Sequence, residues 1–377
     1  MRRFATGELD GLELGGPRLL LRDWRPGDAD AVLAVMADRS MYEFLALPDP
    51  YTPAEAHRFV TELGRAGRCA GTGLGCAVVE RASGRLVGSA SLNFEPRTAD
   101  GEVGYWIAPK ARGHGHAAEA TRLLTSWGFD QGVQRIRLLC DVRNVASIRT
   151  ALAAGFVFEG IARSALIDHS GSPRRSDAAR FAVLPTDPCD PIAPAFSPLR
   201  ETLTDGVLGI RMLRPDDATP LAEAEDEVAL GWGFTGQPPD PQHFVTRAAR
   251  AGFDWLLGRA AHFAMVEQAG GATAGSIDLM KFGPPGVGLI GYTVHPRFRG
   301  NGYTARALRL LADWAFQVAG FARLELGAKA ANVASHRAAE AGGFEREAVV
   351  RGRLRNPDGT YSDEVLFARL RPPSATG

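Results

Sequence analysis

Three stretches of this chain occur twice, at nearly the same separation. LLLRDWRPGDADAV (19–32) aligns with LGIRMLRPDDATPL (208–221) at an offset of 189. GYWIAPKARGHGHAAEATRLLTSWGF (104–129) aligns with GYTVHPRFRGNGYTARALRLLADWAF (291–316) at 187, and NVASIRTALAAGF (144–156) with NVASHRAAEAGGF (332–344) at 188. Offsets this constant over most of each half mean one domain duplicated within the chain. The 377 residues suit two domains of about 100–200 residues each. Between the copies, Pro185, Pro188, Pro191, Pro194 and Pro198 forbid a helix, disfavour a central strand and stiffen the segment. The expected organisation is a first domain over 1–186, a proline-rich linker over 187–205 and a second domain over 206–377.

Charge narrows the class of partner. The 43 Lys and Arg balance 43 Asp and Glu, which argues against a general basic footprint for nucleic acid and favours small partners. Apolar runs fall far short of the roughly 18 residues of a membrane helix. No apolar stretch follows the basic residues of MRRFATGELDGLELGG, so it does not read as a secretory signal. The expected location is cytoplasmic, with no membrane partner. Cys69, Cys76, Cys140 and Cys189 form no C-x-x-C pair and have no histidine at zinc-like spacing, so they read as free thiols and no metal site is expected.

Each copy reads as mixed α/β. A strand (18–23; 207–213) precedes two helices, which open after RPGDAD and YTPAEA in the first copy and after RPDDAT and PDPQHF in the second. Asp28 and Asp216 are placed to cap the first helices, and Pro53 suits a first helical turn. Three strands of alternating, β-branched composition follow (74–80, 85–94, 101–108; 262–268, 273–281, 286–295). From about 115 a long helix carries Ala120, Leu123, Leu124 and Trp127 at the spacing of one buried face, repeated as Ala307, Leu310, Leu311 and Trp314. A strand (135–142; 322–329), a short helix (145–154; 333–341) and two strands (156–163, 177–184; 344–351, 361–370) close each copy.

The chemistry concentrates where the third strand of the three turns into the long helix. There stand Arg112, Gly113, His114, Gly115, His116 and Ala117, and in the second copy Arg299, Gly300, Asn301, Gly302, Tyr303 and Thr304. Glycines at this turn permit tight dihedrals and close approach, so successive backbone N–H groups can point at one anion. The helix beginning there adds roughly half a positive charge at its N-terminus. Together these features make a pyrophosphate cradle. One G-x-G pair is a weak signal; two in the same strand-to-helix context, each followed by N-V-A-S and G-F at matched distance, are much stronger.

R-G-x-G-x-A/T after a G-Y-x-x-x-P strand, then N-x-x-S and G-F, resembles the GNAT acetyltransferase superfamily. Within it the pattern is similar to the ribosomal-protein-alanine acetyltransferase-like (RimJ/RimL-type) branch, over nearly the whole chain. The resemblance implies two tandem folds, each a central mixed, mostly antiparallel sheet flanked by helices, and acetyl-CoA or another acyl-CoA as co-substrate. It places the CoA pyrophosphate on the two cradles. The pantetheine arm would lie like an added strand along Trp106, Ile107 and Ala108, or along Thr293, Val294 and His295. Asn144 with Ser147, and Asn332 with Ser335, would stand beside the thiol end; the same residues equally suit helix capping.

An amine near pKa ~10.4 is almost wholly protonated at neutral pH, so acyl transfer to it needs a proton acceptor. Glu102, where this branch often carries an acid, is the leading candidate; a surface glutamate at a strand start is the plainer reading. The second copy has Leu289 there. The tyrosine that many small-molecule members place seven residues after the asparagine is replaced by Ala151 and Ala339, which leaves the general acid unassigned. His114 and His116 are titratable, but their loop position favours backbone and phosphate contacts. Trp24, Tyr42, Phe44, Trp232 and Phe234 are candidates to line acceptor pockets or to pack in the core. Arg351, Arg353 and Arg355 alternate on one strand face, to meet an acidic group or simply solvent.

The sequence therefore reads as an N-acyltransferase that moves an acyl group from a thioester to a primary amine by direct attack, with a small-molecule or peptide amine as acceptor. A carrier protein or an aminoacyl-tRNA as donor, one catalytic copy beside one binding copy, and an acyl-CoA-binding protein without turnover remain alternatives.

Overall fold

The computed structural model describes residues 4–95, 97–167, 175–197, 199, 201–233, 237, 239–281 and 284–373. They form two compact units, Met1–Ala193 and Pro194–Gly377. The first runs β1 (Leu14–Gly15), β2 (Leu19–Arg22), α1 (Ala29–Met36), α2 (Pro53–Arg58), α3 (Ala66–Ala70), β3 (Gly73–Glu80), β4 (Leu86–Glu95), β5 (Asp100–Ile107), α4 (His116–Asp130), β6 (Arg135–Asp141), α5 (Val145–Ala153), β7 (Val157–Ile167) and β8 (Arg175–Val183). The second runs β9 (Leu203–Thr204), β10 (Leu208–Met212), α6 (Ala218–Glu223), α7 (Glu227–Trp232), α8 (Pro241–Leu256), β11 (Ala260–Glu267), β12 (Thr273–Met280), β13 (Val287–Val294), α9 (Tyr303–Gln317), β14 (Arg323–Lys329), α10 (Val333–Ala341), β15 (Glu345–Arg355) and β16 (Tyr361–Leu370).

Among the described residues each unit holds one eight-stranded sheet, ordered β1-β2-β3-β4-β5-β6-β8-β7 in the first and β9-β10-β11-β12-β13-β14-β16-β15 in the second. Every neighbouring pair is antiparallel except β5 with β6 and β13 with β14. The expected α/β class, with a mixed and mostly antiparallel sheet in each copy, is what the chain forms. The long helices bury the anticipated stripe: Leu124 is 1% and Leu311 0% exposed, each such burial contributing about 2 kcal/mol.

Asp28 stands at the N-cap of α1 and Asp217 at that of α6, but neither side chain bonds the helix it precedes, against the expected capping; each turns back to an arginine instead. Asp28 accepts two hydrogen bonds from Arg22, both 2.8 Å, and one from the Arg25 backbone N–H. In the second copy Asp217, not the expected Asp216, takes the same place, accepting from Arg211 at 2.8 and 2.9 Å and from the Arg214 backbone. At the offset of 189 Asp28 aligns with Asp217 and Gly27 with Asp216, and of the two adjacent aspartates only Asp217, which reaches inward to the arginine of the preceding strand, is buried.

Residues of the proline-rich stretch are held by the units themselves. The Ile192 N–H donates to the Leu152 carbonyl in the first unit, and the Ala195 N–H to Leu256 in the second. Phe196, 1% exposed, stands 5.4 Å from the Trp255 ring and 5.7 Å from Trp314, and its carbonyl accepts from Trp255 Nε1. In the first unit Phe4 stacks on Phe94 and on Trp127, 5.6 and 5.9 Å away. No helix among the described residues is long and apolar enough to cross a membrane.

Candidate active sites

In both sheets the parallel pair comes apart. β5 pairs with β6 only over Asp100–Glu102 against Arg135–Arg137, and β13 with β14 only over Val287–Leu289 against Arg323–Glu325. Beyond those rungs one edge of β5 and one edge of β13 have no strand partner among the described residues. Backbone N–H and C=O groups seek partners, so each such edge is a template for an extended ligand chain. In the first unit the parting opens a cleft of about 290 Å³, lined by Val103, Gly104 and Tyr105 on one side and Leu138, Leu139, Cys140 and Asp141 on the other. Phe44, Asn144 and Ser147 also line it.

At the far end of β5 the chain turns through Ala108–Ala111 into α4. Gly113 and Gly115 have φ of +81° and +75°, and Gly115 caps the helix. A Cβ at Gly113 would meet nothing within 4 Å; one at Gly115 would meet only Arg18 Nη2, at 3.5 Å. The space over the cradle is therefore open, as a bound phosphate requires, and the first helical turn beneath it leaves N–H groups without intrahelical acceptors. Arg18 braces the loop: its guanidinium donates to the His114 carbonyl at 2.7 Å and to Glu119 at 2.7 Å, while Glu119 accepts the backbone N–H groups of Arg18 and Leu19. The Arg18–Glu119 pair is not visible in the repeat, because the second copy reverses the charges and joins Arg306 to Asp205 at 2.6 Å. His114 and His116 stack with ring centroids 5.7 Å apart; burial pushes His116 below the usual imidazole value. Ala117 lies in the first turn of α4.

The second cradle has the same backbone and a different charge. Gly300 and Gly302 have φ of +81° and +72°, with nothing within 4 Å of a Cβ at either. Asn301 lies between them, and Tyr303 and Thr304 open α9. Arg112 in the first unit is exposed and reaches Ser40 Oγ at 3.1 Å and the Ile107 carbonyl at 3.3 Å. Its counterpart Arg299 donates to both carboxylate oxygens of Asp226, at 2.8 and 2.7 Å, and to the Val294 carbonyl. The Tyr303 hydroxyl donates to Glu267 at 2.7 Å. This cradle thus carries fewer uncommitted positive groups than the first.

Glu102 sits on the last parallel rung, 2.8 Å from Arg137 Nε, where the strands begin to part. Asn144 and Asn332 cap α5 and α10 through the Ser147 and Ser335 N–H groups, at 3.0 and 3.1 Å. The Tyr105 hydroxyl donates to the Ser147 carbonyl at 3.4 Å, and Tyr292 bonds Ser335 Oγ at 2.6 Å; neither tyrosine was singled out from the sequence. Ala151 and Ala339 are fully buried. Trp106 turns from the open edge into the helix-covered face, against Trp24 and Phe59, with Tyr42 packed nearby. Thr293 occupies its position in the second unit, since each pairs with the matching serine, Ser276 or Ser89. The His295 side chain caps the turn before Arg299.

Trp232 is 40% exposed, and Phe234 lies outside the described residues. A bulge between Val350 and Leu354 interrupts the alternation expected for Arg351, Arg353 and Arg355, and Arg353 pairs with Glu364 at 2.7 Å. All four cysteines are free. Burial pushes the Cys140 thiol, which lines the cleft, up to about 12.

A sheet whose central parallel pair parts beside a glycine-turned helix N-terminus, built twice, defines the class. The acetyltransferase (GNAT) domain profile matches residues 18–157 and again 208–345, and the chain belongs to this family. Over 113 residues it is 28% identical to "Probable N-acetyltransferase YjcK" of Bacillus subtilis, covering 29% of this chain and 62% of that one. Over 82 residues it is 33% identical to the ribosomal-protein-serine acetyltransferase of Escherichia coli, covering 21% of this chain and 46% of the relative. The chain thus spans less than two thirds of either relative's length. Among solved structures, an acetyltransferase of the GNAT family from Bacillus anthracis aligns over 45% of this chain and 99% of its own at 18% identity and TM-score 0.39.

Proposed function

We propose that the protein is an N-acetyltransferase that passes the acetyl group of acetyl-CoA to a primary amine, with the first unit catalytic and the second unit holding a further donor site. The observation that carries this reading is the joint geometry of parted strand and open cradle, present in both units. In the first, the pyrophosphate of CoA rests over Gly113 and Gly115 on the N-terminus of α4, and the pantetheine arm runs along Trp106–Ala108 to the cleft. Backbone N–H groups of the unpaired edge of β5 hold the developing oxyanion. Glu102, at the parting, takes the proton of the incoming ammonium group. The names of the relatives support an amine on a protein or peptide as the acceptor class.

Two measurements test this. Calorimetric titration with acetyl-CoA reads the number of donor sites, two being expected. Thiol release from acetyl-CoA is then followed with a serine-initiated tetrapeptide, spermidine and an aminoglycoside. Binding without release on any of the three overturns the enzyme reading; absence of binding points to a donor borne on a carrier protein or tRNA.

A further inference from the structure

The second unit carries a short helix tied to both sides of the place where its strands part. Asp226, the N-cap of α7, accepts from both Nη groups of Arg299, at 2.8 and 2.7 Å. Arg299 opens the second cradle, and its Nε bonds the Val294 carbonyl at 3.3 Å. The next residue, His295, turns its N–H toward β12, where it donates to Ala274. Successive backbone groups point to opposite sides of a strand, so the Val294 carbonyl faces the unpaired edge of β13. At the other end of α7 the carbonyl of the C-cap Gly233 accepts from Lys329 Nζ at 2.7 Å. Lys329 is the last residue of β14, beyond the final rung with β13 at Glu325. One end of α7 thus holds to the cradle that follows β13, and the other to β14.

The first unit builds the same positions differently. Counted at the offset of 188, Asp226, Gly233 and Lys329 correspond to Asp38, Leu45 and Asp141. Leu45 and Asp141 both line the open cleft of about 290 Å³, so the Gly233–Lys329 bond joins two positions that stand on either side of open space in the first unit. Asp141 turns to Arg143 instead, at 2.9 and 2.7 Å. Arg112 bonds the matching strand carbonyl, but its other partners are the Ser40 hydroxyl and the Met41 sulfur, and Asp38 caps its own turn.

Little besides these ties fixes the helix. No residue of α7 is buried, and Val228 and Trp232 are exposed. Lys329 is 5% exposed and, among the described residues, has no carboxylate ion-paired with it. A buried ammonium whose partner is a neutral carbonyl is poorly compensated for its lost hydration, so this tie is one that a ligand can break.

We propose that α7 is a strap that holds the second donor site closed, and that acetyl-CoA displaces it on binding. This rests on the acetyltransferase reading above, which gives the second unit a donor site. A donor chain paired with the edge of β13 takes the Val294 carbonyl from Arg299. The donor phosphates compete with the Asp226 carboxylate for the guanidinium, and the helix is released. Apparent affinity then scales with the fraction of molecules whose strap is open, so the second site binds more weakly than the first until a tie is cut.

The test uses the full-length chain with the first cradle blocked by Gly115→Trp, or by Gly113→Asp if the tryptophan lowers the Tm, so that calorimetry with acetyl-CoA reads the second site alone. Asp226→Asn keeps an oxygen to cap α7 and frees Arg299; Lys329→Met cuts the other tie. Each should tighten binding at least about threefold. The lysine variant separates a strap from a charge effect, because loss of a positive charge beside an anionic ligand would by electrostatics alone weaken binding. Trp232 supplies a reading that needs neither variant: saturating acetyl-CoA should raise the quenching of tryptophan fluorescence by acrylamide, and Trp232→Phe should abolish the increase. Unchanged or weaker binding in either folded variant, or quenching at Trp232 that does not respond to bound acetyl-CoA, overturns the strap. No binding in the cradle-blocked chain and none in either variant made on it overturns the second donor site itself, and the strap with it.

Discussion

Glu102 and Arg137 meet 2.8 Å apart across the last parallel rung between β5 and β6, so the carboxylate at the point where the strands part is oriented by the strand that then leaves it. The two side chains are 44% and 39% exposed, and an ion pair this open contributes only about 0–1 kcal/mol to stability. Its worth lies in where it aims the carboxylate. With the second cradle blocked by Gly302→Trp, Glu102→Gln should lower kcat at least about tenfold and leave the Tm and acetyl-CoA affinity nearly unchanged. An identical pH–rate profile in the variant would take Glu102 out of the proton-accepting role.

The two cradles should titrate separately. Because the left-handed glycines at 115 and 302 face open space, a tryptophan at either fills the room a phosphate would occupy and strains the turn. Each of Gly115→Trp and Gly302→Trp should reduce the calorimetric stoichiometry for acetyl-CoA from about two to about one. A variant that keeps both equivalents shows that its glycine only turns the chain.

Acid should affect the second unit through Asp226. Its hydrogen bonds from Arg299 hold this carboxyl at about 2, below its value in the unfolded chain. A depressed carboxyl stabilises the fold above the unfolded pKa, so the contribution is complete above about pH 4 and is lost as pH falls toward 2. Asp226→Asn keeps an oxygen to cap α7 and removes the charge. The difference in Tm between the unsubstituted chain and this variant should therefore shrink steadily over that window, and a difference independent of pH would show that the pair contributes no linkage.

His262 gives the opposite sign. Burial alone would push this imidazole down, but its bonds to Asp254 and Asp278 outweigh burial and raise it. The stabilisation is fully present below the unfolded histidine value and is lost as pH rises through the raised folded value. Asp278→Asn leaves the imidazolium half-paired in a buried site, which should cost about 3 kcal/mol. In urea the second unit should then unfold ahead of the first, as reported by Trp255 and Trp314 fluorescence; coincident transitions at the original midpoint would contradict it.

Much of this architecture was written in local pattern. Alternation placed β3, β4, β11 and β12 within a residue or two, and the 3–4–7 spacing of Ala120, Leu123, Leu124 and Trp127 located α4, because both periods follow from one buried face. The cradles were legible because left-handed turns demand glycine. What escaped depended on long-range pairing. Arg18 was hidden, since its partner Glu119 has an arginine in the other copy.

Phe4 and Phe196 do the same work, each laid on the tryptophan of its unit's long helix, Trp127 or Trp314. What was copied when the gene doubled therefore began well before the first recognisable motif and included the tail that seals the aromatic core. The practical boundary for separating the halves follows from that. A C-terminal fragment opened at residue 206 would leave its own plug behind, whereas one opened at Pro194 carries Phe196 with it and keeps Trp255 Nε1 supplied with its acceptor.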